Sequence, residues 1–381
     1  MASALSTFTD FVDTTGPSFL TSAEDVVNEA CKNNYLMRRF MRGNGPSESV
    51  QGGSKIKDTI MFDDSSTFQY YEPNETFSWQ NPQVVENWEI DWRFCVDHMV
   101  FTDAEIELNL GGGLGRDARH QAFKRLKRIK EQRLWTSILN GMEDALFSVP
   151  SNADMEESTG TKPYSVPSFV NEGTNGLYSG FSTVQGLNPT TYTKWAPQKE
   201  TYTSSAVDNA ANIISTFDKM FLDVQFTPPP SHQEYFDDPS LNAMFIACSK
   251  KGQNIYAQLL RASQDTFVTS SRQDPAYMSP KFAGIDLVYA SNLDTYAGYT
   301  SSTTEGQDGT NRGPRYYFLN GNYMKYIFHQ TRYMFQHPTM RHPNQPFTSI
   351  VPVDSWYNFV CRSRQRQGIV APSGTSAYAA Y

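Results

Sequence analysis

Between Val84 and Val100 apolar and polar residues alternate. Trp88, Ile90, Trp92, Phe94, Val96 and Val100 fall on one side, and Glu89, Asp91, Arg93 and Asp97 on the other. Successive side chains of a strand point to opposite faces, so this pattern predicts a strand with one face buried. Fully extended, the segment reaches roughly 55 Å, whereas an ordinary strand has about 5–6 residues. With the stretch that begins at Lys55, it predicts a long extended hairpin over residues 55–100. A compact monomer has little use for such an arm; a chain that lies across its neighbours does.

A glycine break, Gly111-Gly112-Gly113-Leu114-Gly115, separates the arm from a second unusual element. Asp117 can cap free N–H groups at the start of a helix that runs to about Leu146, a length of roughly 45 Å. Phe123, Leu126, Ile129, Leu134, Ile138, Met142 and Ala145 approximate its apolar stripe. Arg116, Arg119, Lys124, Arg125, Lys127, Arg128, Lys130 and Arg133 crowd its first half. Those cations could contact nucleic-acid phosphates or acidic segments of a neighbouring subunit such as Glu86, Glu89 and Asp91. No aromatic residues interleave with them to stack single-stranded bases. The 381-residue chain carries a formal net charge of −8, which favours the inter-subunit reading.

A chain of this length can bury a large core and suggests two or three domains. Its richness in Phe, Tyr, Trp, Gly and Pro favours sheets and turns. Of the four cysteines, Cys31, Cys95, Cys248 and Cys361, none forms a CxxC pair, which favours buried, reduced thiols and synthesis inside a cell. The segment MASALSTFTDFVD has no basic region followed by an apolar core, and no window approaches the ~20 apolar residues of a membrane span.

Residues 1–20 read as a polar arm, and Ser22-x-x-Asp25 as the cap of a helix over about Ala23–Met41, ended by Gly43-Asn44-Gly45-Pro46. Residues 148–205 are rich in Ser, Thr, Gly, Pro and Asn, and read as irregular β-structure and loops. An α/β layer follows. It comprises a helix over about Ala206–Leu222 with Val207, Ala210, Ala211, Ile214, Phe217 and Phe221 inward, a strand over Ala243–Cys248, a helix over about Lys250–Arg261 and a strand over Ile285–Ala290. Residues 298–314 are a polar loop. Gly321-Asn322, between Tyr316–Asn320 and Tyr323–Met334, fits a two-residue hairpin turn. A last strand is expected over about Trp356–Arg362, and the tail from Ala371 to Tyr381 is small and polar.

Nothing in the chain argues for catalysis. The Gly111–Gly115 run lacks the Lys-Ser/Thr of a phosphate loop, and Arg116 stands where a dinucleotide fingerprint needs its third glycine. The run reads instead as a flexible joint. His329, His337 and His342 match no metal spacing, and Pro338 and Pro343 interrupt any helix that could align them. Asp63-Asp64 and Asp237-Asp238 sit in loops where acids usually serve turns or solvent. There is no Gly-x-Ser-x-Gly elbow. No cofactor or metal is expected.

Three segments carry a family resemblance. Gly180-Phe181-Ser182-Thr183 with Thr190 to Trp195 is similar to a loop after a long helix. Phe318-Leu319-Asn320 with Tyr323-Met324 is similar to a strand pair opening the last third. Ser355-Trp356-Tyr357-Asn358-Phe359-Val360-Cys361-Arg362-Ser363-Arg364-Gln365-Arg366-Gln367-Gly368 is similar to an ending in which an apolar strand runs into an Arg-rich turn and a glycine. With the order of parts, the chain resembles the major capsid protein of tailed double-stranded DNA bacteriophages, of the Hong Kong 97-like fold.

The resemblance implies an α+β fold with an N-terminal arm (residues 1–50), an extended β-hairpin loop (51–110), a spine helix and first part of a peripheral domain (111–205), an axial domain (206–311), peripheral C-terminal strands (312–370) and a tail (371–381). It implies an icosahedral shell of pentamers and hexamers, made in the host bacterial cytoplasm and found in the virion. Portal and scaffold proteins would be partners, double-stranded DNA would be contacted non-specifically, and no membrane would be involved. The alternatives are a cellular encapsulating shell or a phage tail or connector subunit. The residues expected to carry assembly are Trp88 and Trp92 in the arm, Gly111, Gly112 and Gly113 at the joint, and Arg125 and Arg128 on the helix. Some members cross-link a loop lysine to a neighbour's asparagine; Lys55 and Lys57 lie near that place, without an identifiable partner, and are expected to remain uncross-linked.

Overall fold

The computed structural model describes residues 36–37, 40, 48–62, 67–73, 76, 79, 84–108, 116–148, 151–155, 160–177, 181–203, 210–224, 244–264, 281–294 and 314–373. The strands are β1 (Glu48–Val50), β2 (Lys55–Met61), β3 (Val85–Asp91), β4 (Arg93–Thr102), β5 (Gln198–Thr203), β6 (Met244–Cys248), β7 (Lys281–Phe282), β8 (Ile285–Tyr289), β9 (Tyr316–Asn320), β10 (Met324–His329), β11 (Phe335–Gln336), β12 (Met340–His342), β13 (Gln345–Cys361) and β14 (Gly368–Ser373). The longer helices are α1 (Asp103–Leu108), α2 (Arg116–Leu146), α3 (Ala210–Val224) and α4 (Lys250–Gln264). Two compact units emerge, one comprising Met1–Asn34, Phe94–Glu143 and Phe328–Trp356, the other Tyr35–Arg93, Asp144–Ile327 and Tyr357–Tyr381. The expected N-terminal helix over Ala23–Met41 lies outside the described residues except at Leu36, Met37 and Phe40, all buried.

In the first unit, β11 and β12 pair antiparallel with β13, Phe335 opposite Asp354 and Met340 opposite Ile350, and β4 also pairs with β13. The core joins Met99 and Phe101 of β4, Leu126 and Leu134 of α2, and Val351 and Val353 of β13, with Ile138 beside them. The long helix forms as the sequence predicts because its residues are mostly strong helix formers without proline. Ahead of it stands α1, which the sequence reading missed. Glu105 N donates to Thr102 Oγ1 (3.3 Å) and Thr102 N donates to Glu105 Oε2 (3.1 Å), a reciprocal capping box. Thr102-x-x-Glu105 was the available signal; the neighbouring glycine run drew the eye past it.

The second unit centres on a six-stranded sheet in the order β5-β14-β9-β6-β8-β7. β6 and β8 run parallel, joined through α4, while β9 is antiparallel to both β6 and β14. Every residue of β6 and β9 is buried, as expected where both faces of a strand are covered. Phe217 of α3 sits at the heart of the core, its ring edge-on to Tyr316 (4.8 Å), Phe318 (5.3 Å) and Phe282 (5.4 Å) and stacked on Tyr256 (5.7 Å). A Cβ on Gly368 would lie 2.2 Å from Met220 Sδ, so glycine is what lets α3 lie against the start of β14. One sheet thus unites strands from segments 148–205, 206–311 and 312–370.

Two expectations fail here, for physical reasons. The long alternating strand breaks at Trp92 into β3 and β4. Trp92 and Arg93 are both buried in succession, which shifts the alternation by one residue and swaps the faces beyond it. Phe94 and Val96, expected inside, are therefore exposed, while Arg93, expected outside, is buried with its guanidinium donating to Asp154 O (2.5 Å) and Gly160 O. The longest strand is instead β13, 17 residues. Second, Gly321-Asn322 is not a hairpin turn, since β9 and β10 belong to different sheets. Neither residue has the positive φ that a two-residue hairpin loop requires there. Asn320 instead gives its N–H to Gln367 Oε1 (2.7 Å) and accepts from Gln367 Nε2 (3.3 Å), which ties β9 to the turn before β14.

That turn holds the most deeply buried cation. Arg364 donates to Phe169 O (2.9 Å), Trp195 O (2.9 Å) and Gly176 O (2.5 Å), and burial pushes its pKa down to about 10. The Arg-rich turn of the resemblance is thus a clamp that fastens the irregular 165–197 region. Cys95, Cys248 and Cys361 are free thiols; burial pushes Cys361 up to about 12, far from a reactive thiolate.

Candidate assembly surface

The arm is a two-stranded antiparallel sheet, β2 against β3, with Lys55 opposite Asp91, Lys57 opposite Glu89 and Met61 opposite Val85. Its base is fastened at many points. Ile56, Trp88, Ile90 and Trp92 are buried, and the Trp92 indole N–H donates to Gly53 O (3.0 Å), where Gly53 takes a positive φ that glycine allows. Glu89 N donates to Gln185 O (3.1 Å), Asn358 Nδ2 to Asp91 O (2.7 Å) and Lys194 Nζ to Phe62 O (2.7 Å). The Phe62 ring stacks on Tyr192 at 4.9 Å. Arg362 Nε lies 3.0 Å from Asp58 Oδ2.

Charges at the base are matched across the hairpin. Lys55 Nζ sits 2.6 Å from Glu89 and 3.7 Å from Asp91, and Lys57 Nζ 3.0 Å from Glu89. The Lys55 hydrogen bond, helped by Lys57, holds the Glu89 carboxyl below the usual range, and the same bond holds Lys55 above the ordinary lysine value. Glu86 hydrogen-bonds the Tyr192 hydroxyl and pushes that phenol up. The acids that the sequence offered as partners for a neighbour's helix are therefore engaged within their own chain.

Beyond the base the character changes. Phe68, Tyr70, Tyr71 and Trp79 are exposed, Tyr70 at 90% and Trp79 at 91%, and Phe68 makes an edge-on contact only 5.1 Å from Tyr70. These exposed aromatics were not among the expected assembly residues. Trp88 and Trp92, which were, lie inside the base. Strand periodicity singled them out because it reports burial, not presentation to a partner.

On α2, Lys130 turns inward to Glu105 (2.7 Å) and Val100 O (2.5 Å), and lies 5.0 Å over the Phe101 ring. Lys127 pairs with Glu131 four residues on (3.3 Å). Lys124, Arg128, Arg133 and Trp135 are exposed. Arg125 lies within the helix, and Gly111, Gly112 and Gly113 lie outside the described residues, as do Asp63-Asp64 and Asp237-Asp238. His337 Nε2 approaches Asp354 (3.1 Å) and Arg332 (3.4 Å), the His329 ring meets Trp356, and His342 accepts from Asn344 N (3.2 Å). Among the described residues no group of three or more His, Cys, Asp or Glu is arranged to hold a metal ion, and no helix is long and apolar enough to cross a membrane.

No protein-family model and no curated protein sequence matches this chain. Solved structures do match. The cyanophage A-1(L) capsid asymmetric unit aligns over 94% of this chain and 98% of its own, at a TM-score of 0.54 and 9% identity. The capsid of an empty GTA particle computed with C5 symmetry aligns over 92% and 94%, at 0.50 and 9%. The chain has the α+β Hong Kong 97-like fold. Hong Kong 97-like architecture accounts for the order of arm, long helix, layered α/β sheet and returning C-terminal strands over nearly the whole length.

Proposed function

We propose that this protein is a structural shell subunit, a major capsid protein whose copies assemble as pentamers and hexamers into an icosahedral head around the double-stranded DNA of a tailed bacteriophage. The observation that carries the proposal is the arm: a hairpin anchored at its base that holds four aromatic side chains almost fully in solvent. A folded monomer rarely leaves such a patch uncovered, and exposed apolar patches mark interaction sites. The shared fold supports it, since both aligned structures are described as capsids. Shells need heterologous contacts that close by symmetry, and an arm that reaches a neighbour supplies one.

In this reading residues 1–50 form the N-terminal arm, 51–110 the extended loop, 206–311 the axial domain, and 111–205 with 312–370 the spine and peripheral domain. Trp88 and Trp92 stiffen the arm, Gly111 to Gly113 form its joint with the helix, and Arg125 and Arg128 belong to the contact face of the helix. Portal and scaffold proteins are partners, DNA is met without sequence preference, and the subunit works as scaffolding rather than as an enzyme. The lysines near the family's cross-linking place are held protonated by Glu89, which opposes their use as nucleophiles.

Negative-stain electron microscopy of the protein expressed alone, after size-exclusion chromatography, tests the proposal. Closed shells or rings of five and six subunits are expected. A monomer that stays monomeric with a co-expressed scaffold overturns it.

A further inference from the structure

The arm tip and one face of α2 carry complementary chemistry. From Asp58 to Trp92 the sequence holds eight acidic residues and no Lys, Arg or His. Asp58, Glu89 and Asp91 are matched within the base by Arg362, Lys55 and Lys57. Farther out, Glu72 is exposed next to Tyr70 and Tyr71. From Arg116 to Arg133 the helix holds eight basic residues against two acidic ones. Lys127 and Lys130 face Glu131 and Glu105, but Lys124 and Arg128 are exposed. Trp135 follows Arg128 by seven residues and Lys124 by eleven, spacings that put all three on one helical face. The Trp135 ring is 42% exposed.

We infer that the tip of one copy, through Phe68, Tyr70, Tyr71, Glu72 and Trp79, docks on the Lys124–Arg128–Trp135 face of α2 in a second copy. This rests on the shell reading above and names the partner surface of the arm. Three complementarities select a second copy as the occupant. The carboxylate of Glu72 suits the ammonium of Lys124. The planar guanidinium of Arg128 suits the faces of tyrosine and tryptophan rings. The Trp135 ring offers apolar area to an aromatic tip. A nucleic acid on this helix face would leave the acidic tip uncovered and could not itself receive it, because phosphates repel carboxylates. Because tip and helix face are different surfaces, each copy both gives and receives, a heterologous contact that propagates until the ring closes.

The test mixes isotopically light and heavy copies before assembly and treats the particles with a zero-length carbodiimide, which joins carboxylates to amines in direct contact. Mass spectrometry is expected to find Glu72 joined to Lys124 between copies. Cross-links that join the tip only to other surfaces, or to a different protein, overturn the inference.

A second arm uses charge reversal. Lys124→Glu with Arg128→Glu is expected to cut the assembled fraction about tenfold, and adding Glu72→Lys to recover part of it, as electrostatic complementarity requires. Unfolding midpoints of the variants separate a failure to fold from a failure to dock. A wild-type chain that never assembles overturns the shell reading and the inference together. A wild-type chain that assembles, alongside a double reversal that assembles equally well, overturns the docking alone.

Discussion

The two ends of the arm are made of the same material and behave oppositely. At the base, Phe62, Trp88 and Trp92 are buried; at the tip, Phe68, Tyr70, Tyr71 and Trp79 stand in solvent. The difference is the company each end keeps. Base aromatics meet carbonyls and rings of their own chain: Gly53 O for Trp92, and Tyr192 for Phe62. The tip extends past the strand pairing. Aromatic content fixes how much apolar surface must be covered, not whose surface covers it.

The contrast predicts unequal costs. Trp88→Ala should lower the unfolding free energy of the unassembled subunit by ~3–5 kcal/mol, the usual range for emptying a buried tryptophan site. Trp79→Ala should change it by less than ~0.5 kcal/mol, as surface substitutions do, while weakening assembly. Urea unfolding below the assembly concentration measures the first effect, and light scattering the second. Equal destabilisation by both would abolish the distinction between base and tip.

How much of this was legible depended on the range of the interactions involved. The long helix, the α/β alternation and the buried strands around Phe245 and Phe318 follow from local periodicity, and they stand. The break after Trp92 was not legible, because Arg93 reads as a surface residue. Only the carbonyls of Asp154 and Gly160, more than sixty residues on, make its burial tolerable. Likewise Gly321-Asn322 has the letters of a hairpin turn, but Gln367 claims the backbone of Asn320 and sends the two strands into separate sheets. The insertion of β9 between β14 and β6 is another pairing of distant segments that no local pattern announces. At the assembly surface, periodicity found the arm and the basic helix; it could not tell the exposed aromatics of the tip from loop residues, since loops carry no period.

The helix α2 repeats the contrast on its own two faces. Lys130 is shielded, with side-chain exposures of 12% for it and 14% for Glu105. Lys130→Met removes one partner of a largely desolvated pair and leaves Glu105 beside apolar Phe101, so a loss of ~2–3 kcal/mol is expected in the same urea assay. A loss below ~0.5 kcal/mol would mean that the pair is as solvated as a surface one. On the exposed side stands Gly141, where an added Cβ would meet nothing within 4 Å. Gly141→Ala should therefore raise stability by ~0.5–1 kcal/mol, through helix propensity alone.

The smallest expected effect belongs to the charges of the arm base. Glu89 has its carboxyl held below 4.5 by Lys55 and Lys57, so its contribution is fully present above the ordinary carboxylate value and is lost as pH falls through the lower folded value. Lys55 is held above 10.5, so its contribution is intact below that value and is lost as pH rises through the higher folded one. Both side chains are 39% exposed, and solvent screening keeps the pair at about 0.5 kcal/mol or less. Glu89→Gln should therefore flatten the stability profile slightly below pH 4.5 and leave it unchanged near neutrality apart from that small offset. Raising salt should erase the difference between the variant and the wild type. A salt-insensitive loss of several kcal/mol would mean that the base is held by its charges, and the division between a base fastened by packing and a tip awaiting a partner would have to be redrawn around Glu89.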